Sequence, residues 1–154
     1  MADVVIKVRM DDFSQINLAQ MTEAAVSRAL AVASANIEKY AKDITPVSRM
    51  WKHAKYGPKG ALRDSIIVSP SLKTITILWT APYASIVDEG ARPHMIIGNP
   101  LLHFFWWKEG RWTRPIAVNH PGYQGYRFSD QMRIVAPQFV REAIIEELQR
   151  MNIP

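Results

Sequence analysis

A chain of 154 residues with 48% hydrophobic and 21% charged side chains can bury a sizeable core as one domain, 1–154, and is too apolar and aromatic for a disordered tail. It has no cysteine, which excludes disulfide scaffolds, thiolate zinc and iron–sulfur sites and thiol catalysis, and no apolar run of about 18 residues or secretory leader, so we expect a protein made and kept in a cytoplasm-like compartment, or in a particle assembled there, with no membrane contact. The net charge of +5 is uneven: residues 46–127 hold 11 basic and 4 acidic groups, while the segments on either side each carry −1, a field too weak for a dedicated nucleic-acid binder.

Val4-Val5-Ile6-Lys7-Val8-Arg9-Met10 is rich in β-branched residues and predicts a strand. Asp11, Asp12 and Ser14 then supply turn and cap chemistry. A long helix is expected from about Asn17 to Asp43, with Val26, Leu30, Ala33, Ile37, Tyr40 and Ile44 on one buried face at spacings of three and four. Thr45-Pro46 ends it, because the residue before a proline is pushed out of the helical region.

Periodicity vanishes from Val47 to Gly60. Arg49, Lys52, Lys55 and Lys59 alternate there with Trp51 and Tyr56, closed by Gly57-Pro58 and Gly60. A connection this long exceeds the usual four to six residues, and its basic and aromatic mixture suits phosphate contact, stacking or docking on a neighbour. A plain surface excursion fits the same composition.

Short β-rich stretches follow at Ile66–Val68, Thr74–Trp79, His94–Ile97, Leu102–Trp107 and Arg111–Val118, with Glu109-Gly110 as a hairpin turn. Between them Tyr83–Glu89 suits a two-turn helix ended by Gly90. A closing helix is expected from about Pro137 to Met151, with Val140, Ile144, Leu148 and Met151 as its stripe. The order predicts an α+β fold: one antiparallel sheet packed by a long helix in the N-terminal half and a C-terminal helix, with a long basic loop.

Catalytic signatures are poor. His53, His94, His103 and His120 fall on separate strands and loops, without two histidines one helical turn apart around a glutamate. A hydrolase built on His94, His103, His120 and Glu89 is the weakest of the readings. No Gly-x-Ser-x-Gly elbow or Walker spacing occurs, and neither cofactor nor metal is implied. The run Phe104-Phe105-Trp106-Trp107, with Trp112 beyond the turn, is unusual. As a strand it would place Phe104 and Trp106 on one face and Phe105 and Trp107 on the other, leaving both faces apolar. We therefore expect Phe105, Trp106, Trp107 and Trp112 to mark a subunit or partner interface; a central strand covered on both sides is the other possibility.

Three stretches, taken in order, resemble the tail-completion or neck proteins of tailed bacteriophages. They are Ala41-Lys42 through Thr45-Pro46-Val47 with Gly60-Ala61-Leu62-Arg63-Asp64-Ser65-Ile66; then Tyr83-Ala84, Val87, Glu89-Gly90, Arg92-Pro93-His94, Leu102-His103-Phe104 and His120-Pro121-Gly122; and finally Pro137, Phe139 and Arg141 leading into Ala143-Ile144-Ile145-Glu146. The chain departs from the pattern in the dozen residues from Ser48 to Lys59 and in Ala91 after Glu89-Gly90. The resemblance implies a non-enzymatic virion protein, assembled in the host cytoplasm. It would form a ring, commonly a hexamer, between the head connector or adaptor and the tail tube or terminator. Arg49, Trp51, Lys52, Lys55, Tyr56 and Lys59 would then face the DNA channel, in non-specific contact with packaged DNA, or dock on the adjoining ring. A basic nucleic-acid-binding module and another minor tail or tail-terminator component are the alternatives.

Overall fold

The computed structural model describes residues 3–13, 16, 18–47, 60–106 and 108–152. In chain order its elements are β1 (Val4–Arg9), two 3-10 turns (Met10–Phe13 and Leu18–Gln20), α1 (Glu23–Ile44), the single turn α2 (Ala61–Asp64), β2 (Ile66–Pro70), β3 (Thr74–Trp79), α3 (Ala84–Glu89), β4 (Gly90–Ala91), β5 (His94–Ile97), β6 (Phe104–Trp106), β7 (Arg111–Thr113), β8 (Ala117–His120), β9 (Tyr123–Gln124) and α4 (Phe128–Arg150). The α+β class holds, with both long helices on an antiparallel sheet. The predicted basic loop from 48 lies outside the described residues, as does Trp107.

The body has two layers. Its sheet runs β1-β3-β2, all antiparallel, with β3 in the middle. Strict alternation sends Val4, Ile6 and Val8 of β1 and Ile75, Ile77 and Trp79 of β3 to one face, where all six are buried. The pairing stacks Ile6 against Ile77 and sets Val4 and Ile66 on either side of Trp79. Each such side chain contributes roughly 1.5–3 kcal/mol by leaving water. Val5, Leu78 and Ile67 form a row across the opposite face, where Val5 and Ile67 are exposed.

Helix α1 lays Ala25, Ala29, Leu30, Ala33, Ile37 and Ala41 on this core, with Val26, Tyr40 and Ile44 partly buried at the margin. Alanines on the buried face let α4 approach closely. The two helices run antiparallel, since Arg28 pairs with Glu147 near one end and Tyr40 meets Phe139 edge-on at 5.8 Å nearer the other. The expected start near Asn17 is corrected: α1 begins at Glu23, because the Thr22 hydroxyl accepts from the Ala25 N–H and caps it. Residues 18–20 form a 3-10 turn instead.

The C-terminal helix also departs from expectation. It starts at Phe128, not Pro137, and carries the proline inside it. Proline is favoured in a first turn but costs about 3 kcal/mol in an interior. Burial of Phe128, Met132 and Ala136 before it, and of Val140 and Ile144 after it, outweighs that cost. Leu62 and Ile66 join the same core, and Tyr83 and Val87 of the α3 region pack on its edge, as expected.

The largest correction concerns the strands after residue 90. The single sheet of the sequence reading is not formed. The later strands pair as β4 with β9, β5 with β8 and β6 with β7, and none joins β1–β3. The pairs are nested, so residues 90–124 form one long hairpin arm with its turn at 108–110. The predicted strand Leu102–Trp107 begins only at Phe104, with Trp107 outside the described residues, and Arg111–Val118 is split by Arg114-Pro115-Ile116, since Pro115 has no N–H for a ladder.

Candidate protein interface

The root of the arm is locked. Gly90 takes φ +88 at the end of α3, a left-handed value that side chains resist. A Cβ on Gly125 would lie 2.0 Å from the Asp88 carbonyl oxygen, so the strands entering and leaving the arm touch backbone to backbone. The Tyr126 N–H donates to the Val87 carbonyl and the Arg127 N–H to that of Asp88, at 3.0 and 2.9 Å. The Asp88 carboxylate, only 3% exposed, accepts from the Ser129 N–H at 2.9 Å. It thereby caps α4, whose own preceding residue Arg127 sits at φ 53 without a capping side chain. The Tyr123 hydroxyl donates to the Ile86 carbonyl; burial, then nearby Tyr126, holds this phenol above the ordinary tyrosine range, so it stays a donor.

Beyond the root, none of the described elements forms a layer behind the ribbon. His94 pairs with His120, Ile96 with Val118, Met95 with Asn119 and Ile97 with Ala117. All four β5 residues are exposed, Met95 at 59% and Ile97 at 69%. At the tip Phe104 and Trp106 share one face, their rings 6.1 Å apart. On the other face Trp112 meets Phe105 edge-on at 5.8 Å and His103 at 4.9 Å. The expected alternation is present over Phe104, Phe105 and Trp106, and none of the three belongs to the core of the body. Trp106 is 36% and Trp112 60% exposed, while Phe105 is half-buried. Leu101, Ile116, Tyr123 and Tyr126 add exposed apolar surface along the same arm. The sequence reading missed these four, although Ile116 beside Pro115 and the tyrosines flanking Gly125 were visible signs of apolar side chains in a turn-rich stretch.

Of the interface residues expected from sequence, Phe105, Trp106 and Trp112 are brought together at the tip, and Trp107 lies outside the described residues. So do Arg49, Trp51, Lys52, Lys55, Tyr56 and Lys59. The three described histidines do not converge on one centre, and His53 lies outside the described residues. His94 and His120 stack at 5.0 Å near the root, the first with Nδ1 on the Arg92 carbonyl and the second accepting from the Gly122 N–H, while His103 contacts Trp112 at the tip. Among the described residues no group of three or more histidine, cysteine or acidic side chains could hold a metal ion.

What this arrangement can do is bury apolar surface against another protein. A lone two-stranded ribbon is marginal in water, and one that exposes Trp106, Trp112, Met95 and Ile97 presents apolar surface to a partner. The arm also has the composition of a protein interface: aromatics, methionine and three arginines against one lysine, one glutamate and no aspartate or serine over residues 90–124.

Comparison with known proteins adds the remaining observation. No curated protein and no solved structure matches the chain. The HK97-gp10-like family, described as "Bacteriophage HK97-gp10, putative tail-component", matches residues 10–90, which is just over half of the sequence and covers most of the body up to the first residue of the arm. On that match, with the α+β body that carries it, the chain belongs to the HK97-gp10-like family of phage tail components.

Proposed function

We propose that this tail component is a structural, non-enzymatic subunit that forms a ring at the head–tail junction, joining the head connector or adaptor to the tail tube or terminator around the DNA channel. The observation that carries the reading is the arm. A body of tail-component family presents a rigidly rooted ribbon that leaves Trp106 and Trp112 exposed. Closed rings bury such a surface in every copy, and hexameric symmetry is what the sequence resemblance implies. The basic segment 48–60, with Arg49, Lys52, Lys55 and Lys59 beside Trp51 and Tyr56, is assigned by its charge to the channel wall or the adjoining ring. Long ammonium groups tolerate phosphate there without reading sequence.

Phage carrying a nonsense codon in this gene should produce filled heads and separate tails that do not join, and micrographs of wild-type particles should place the chain between portal and tube. Normally joined particles lacking the protein would remove the junction role. Density along the tail shaft would instead make it another minor tail component.

A further inference from the structure

The two histidines near the root stand as a pair of ligands, whatever junction the subunit serves. His94 and His120 lie directly opposite one another on β5 and β8, one on the strand that enters the arm and one on the strand that leaves it. Opposite residues of antiparallel strands put their side chains on the same face, so the two imidazoles stand together. His94 is exposed and His120 half-buried, which leaves the pair open to an ion from solvent.

Both rings turn the same edge toward the root. His94 Nδ1 meets the Arg92 carbonyl at 2.8 Å, and His120 Nδ1 meets the Gly122 N–H at 3.1 Å. Those backbone groups are themselves neighbours, since a Cβ on Gly122 would lie 2.8 Å from the Arg92 carbonyl carbon. With each Nδ1 engaged at that end, the two Nε2 atoms are the nitrogens left for a ligand. The ring centres are 5.0 Å apart and the planes tilted by 37°. Two imidazoles that share one tetrahedral ion, each nitrogen ~2.0–2.1 Å from the metal, hold their centres about 5 Å apart.

The donor set selects the ion. Imidazole suits zinc and its neighbours, whereas calcium and magnesium require oxygen ligands. Over residues 90–124 the one carboxylate is Glu109, which sits at the tip and pairs with Arg111 at 2.7 Å. We propose that His94 and His120 bind a divalent transition ion of the zinc type through Nε2, with water completing the coordination, so that the ion ties the two strands of the arm together just beyond its root. His94 holds the required tautomer, because donation of its Nδ1–H to a carbonyl leaves the Nε2 lone pair free, as in most metal-bound histidines. His120 does not. Accepting from Gly122 places its proton on Nε2, so binding shifts that proton to Nδ1 and turns the Gly122 N–H away, with no net proton released. One backbone hydrogen bond is exchanged for two coordinate bonds and a cross-strand tie, in a ribbon that is marginal without one.

The probe is zinc chloride added to the purified full chain, read by calorimetry and by NMR of the backbone amides and imidazole nitrogens. One ion per chain is expected. His94→Gln should weaken binding more than about tenfold, while His103→Gln at the tip and His53→Gln should leave it unchanged. With zinc bound, the ladder amides of β5 and β8 should exchange more slowly and the Gly122 amide faster, and the His120 nitrogen shifts should report the moved proton. Magnesium should produce none of these changes. Should His94→Gln fail to fold, as judged by circular dichroism, His120→Gln reads the same loss. Absence of saturable binding, a stoichiometry other than one, or full affinity in a folded variant of either histidine would overturn the proposal. The junction reading is tested separately, by where the chain sits in the particle, so either can fail without the other.

Discussion

Thr45 and Trp79 show how one hydroxyl can end a helix and fix a core. Thr45, buried at the C-cap of α1, donates to the Ala41 carbonyl at 2.6 Å and accepts from the Trp79 indole N–H at 3.1 Å. Trp79 itself is fully buried, with its ring 5.0 Å from Phe128 at the start of α4. The Thr-Pro pair thus does more than stop a helix: it satisfies the polar atom of the largest side chain in the core. Thr45→Val keeps the shape and leaves that N–H without a partner, which should cost about 1–3 kcal/mol in a urea titration. A variant as stable as the parent would mean that water reaches the indole. Asp88→Ala is expected to cost about as much, because a first-turn N–H of α4 loses its acceptor in a dry site, while Asp88→Asn keeps an acceptor oxygen and should recover most of it.

At the scale of elements, legibility followed locality. The stripe of α1 could be read because Leu30, Ala33 and Ile37 recur at helical spacing and face one core. The start of α4 could not, because its cap comes from Asp88, 41 residues away, and its preceding residue is a left-handed arginine rather than a serine or aspartate. Pro137 then offered a local start signal that long-range burial overrode. The strands of the arm were visible as strands, yet β-branched and aromatic residues read alike whether a layer covers them or not. Trp79 and Trp112 illustrate this, one fully buried and one mostly exposed in similar β-rich runs. Of the candidate interface, the aromatic residues were therefore legible and the freestanding ribbon that displays them was not. Two measurements separate arm from body. Because Ile97 faces Ala117, residues 98–116 can be replaced by an Asn-Gly two-residue turn that closes the ribbon early. The shortened protein should melt within a few degrees of the parent, since surface changes away from the core are usually worth under about 0.5 kcal/mol each, yet fail to assemble. Ile37→Asp or Ile144→Asp should do the reverse, losing several kcal/mol by burying an unpaired charge where both residues are fully enclosed. A collapse of the shortened protein would show that the tip belongs to the core after all.

On the scale of the whole molecule the net charge of +5 sits in the middle of the chain, +7 over residues 46–127 between two end segments that each carry −1. The root of the arm sets one further property, which is mechanical. Force applied to a docked tip travels down two strands to Gly90 and Gly125. There it meets the bonds from Tyr126 to Val87, from Arg127 to Asp88 and from Ser129 to the Asp88 carboxylate. Those bonds tie the limb to the first turn of α4, which lies on α1 and the sheet. A load on the arm is thus passed into the longest helix of the body rather than into the edge of its sheet, and the joint that must yield first is the small one around Asp88.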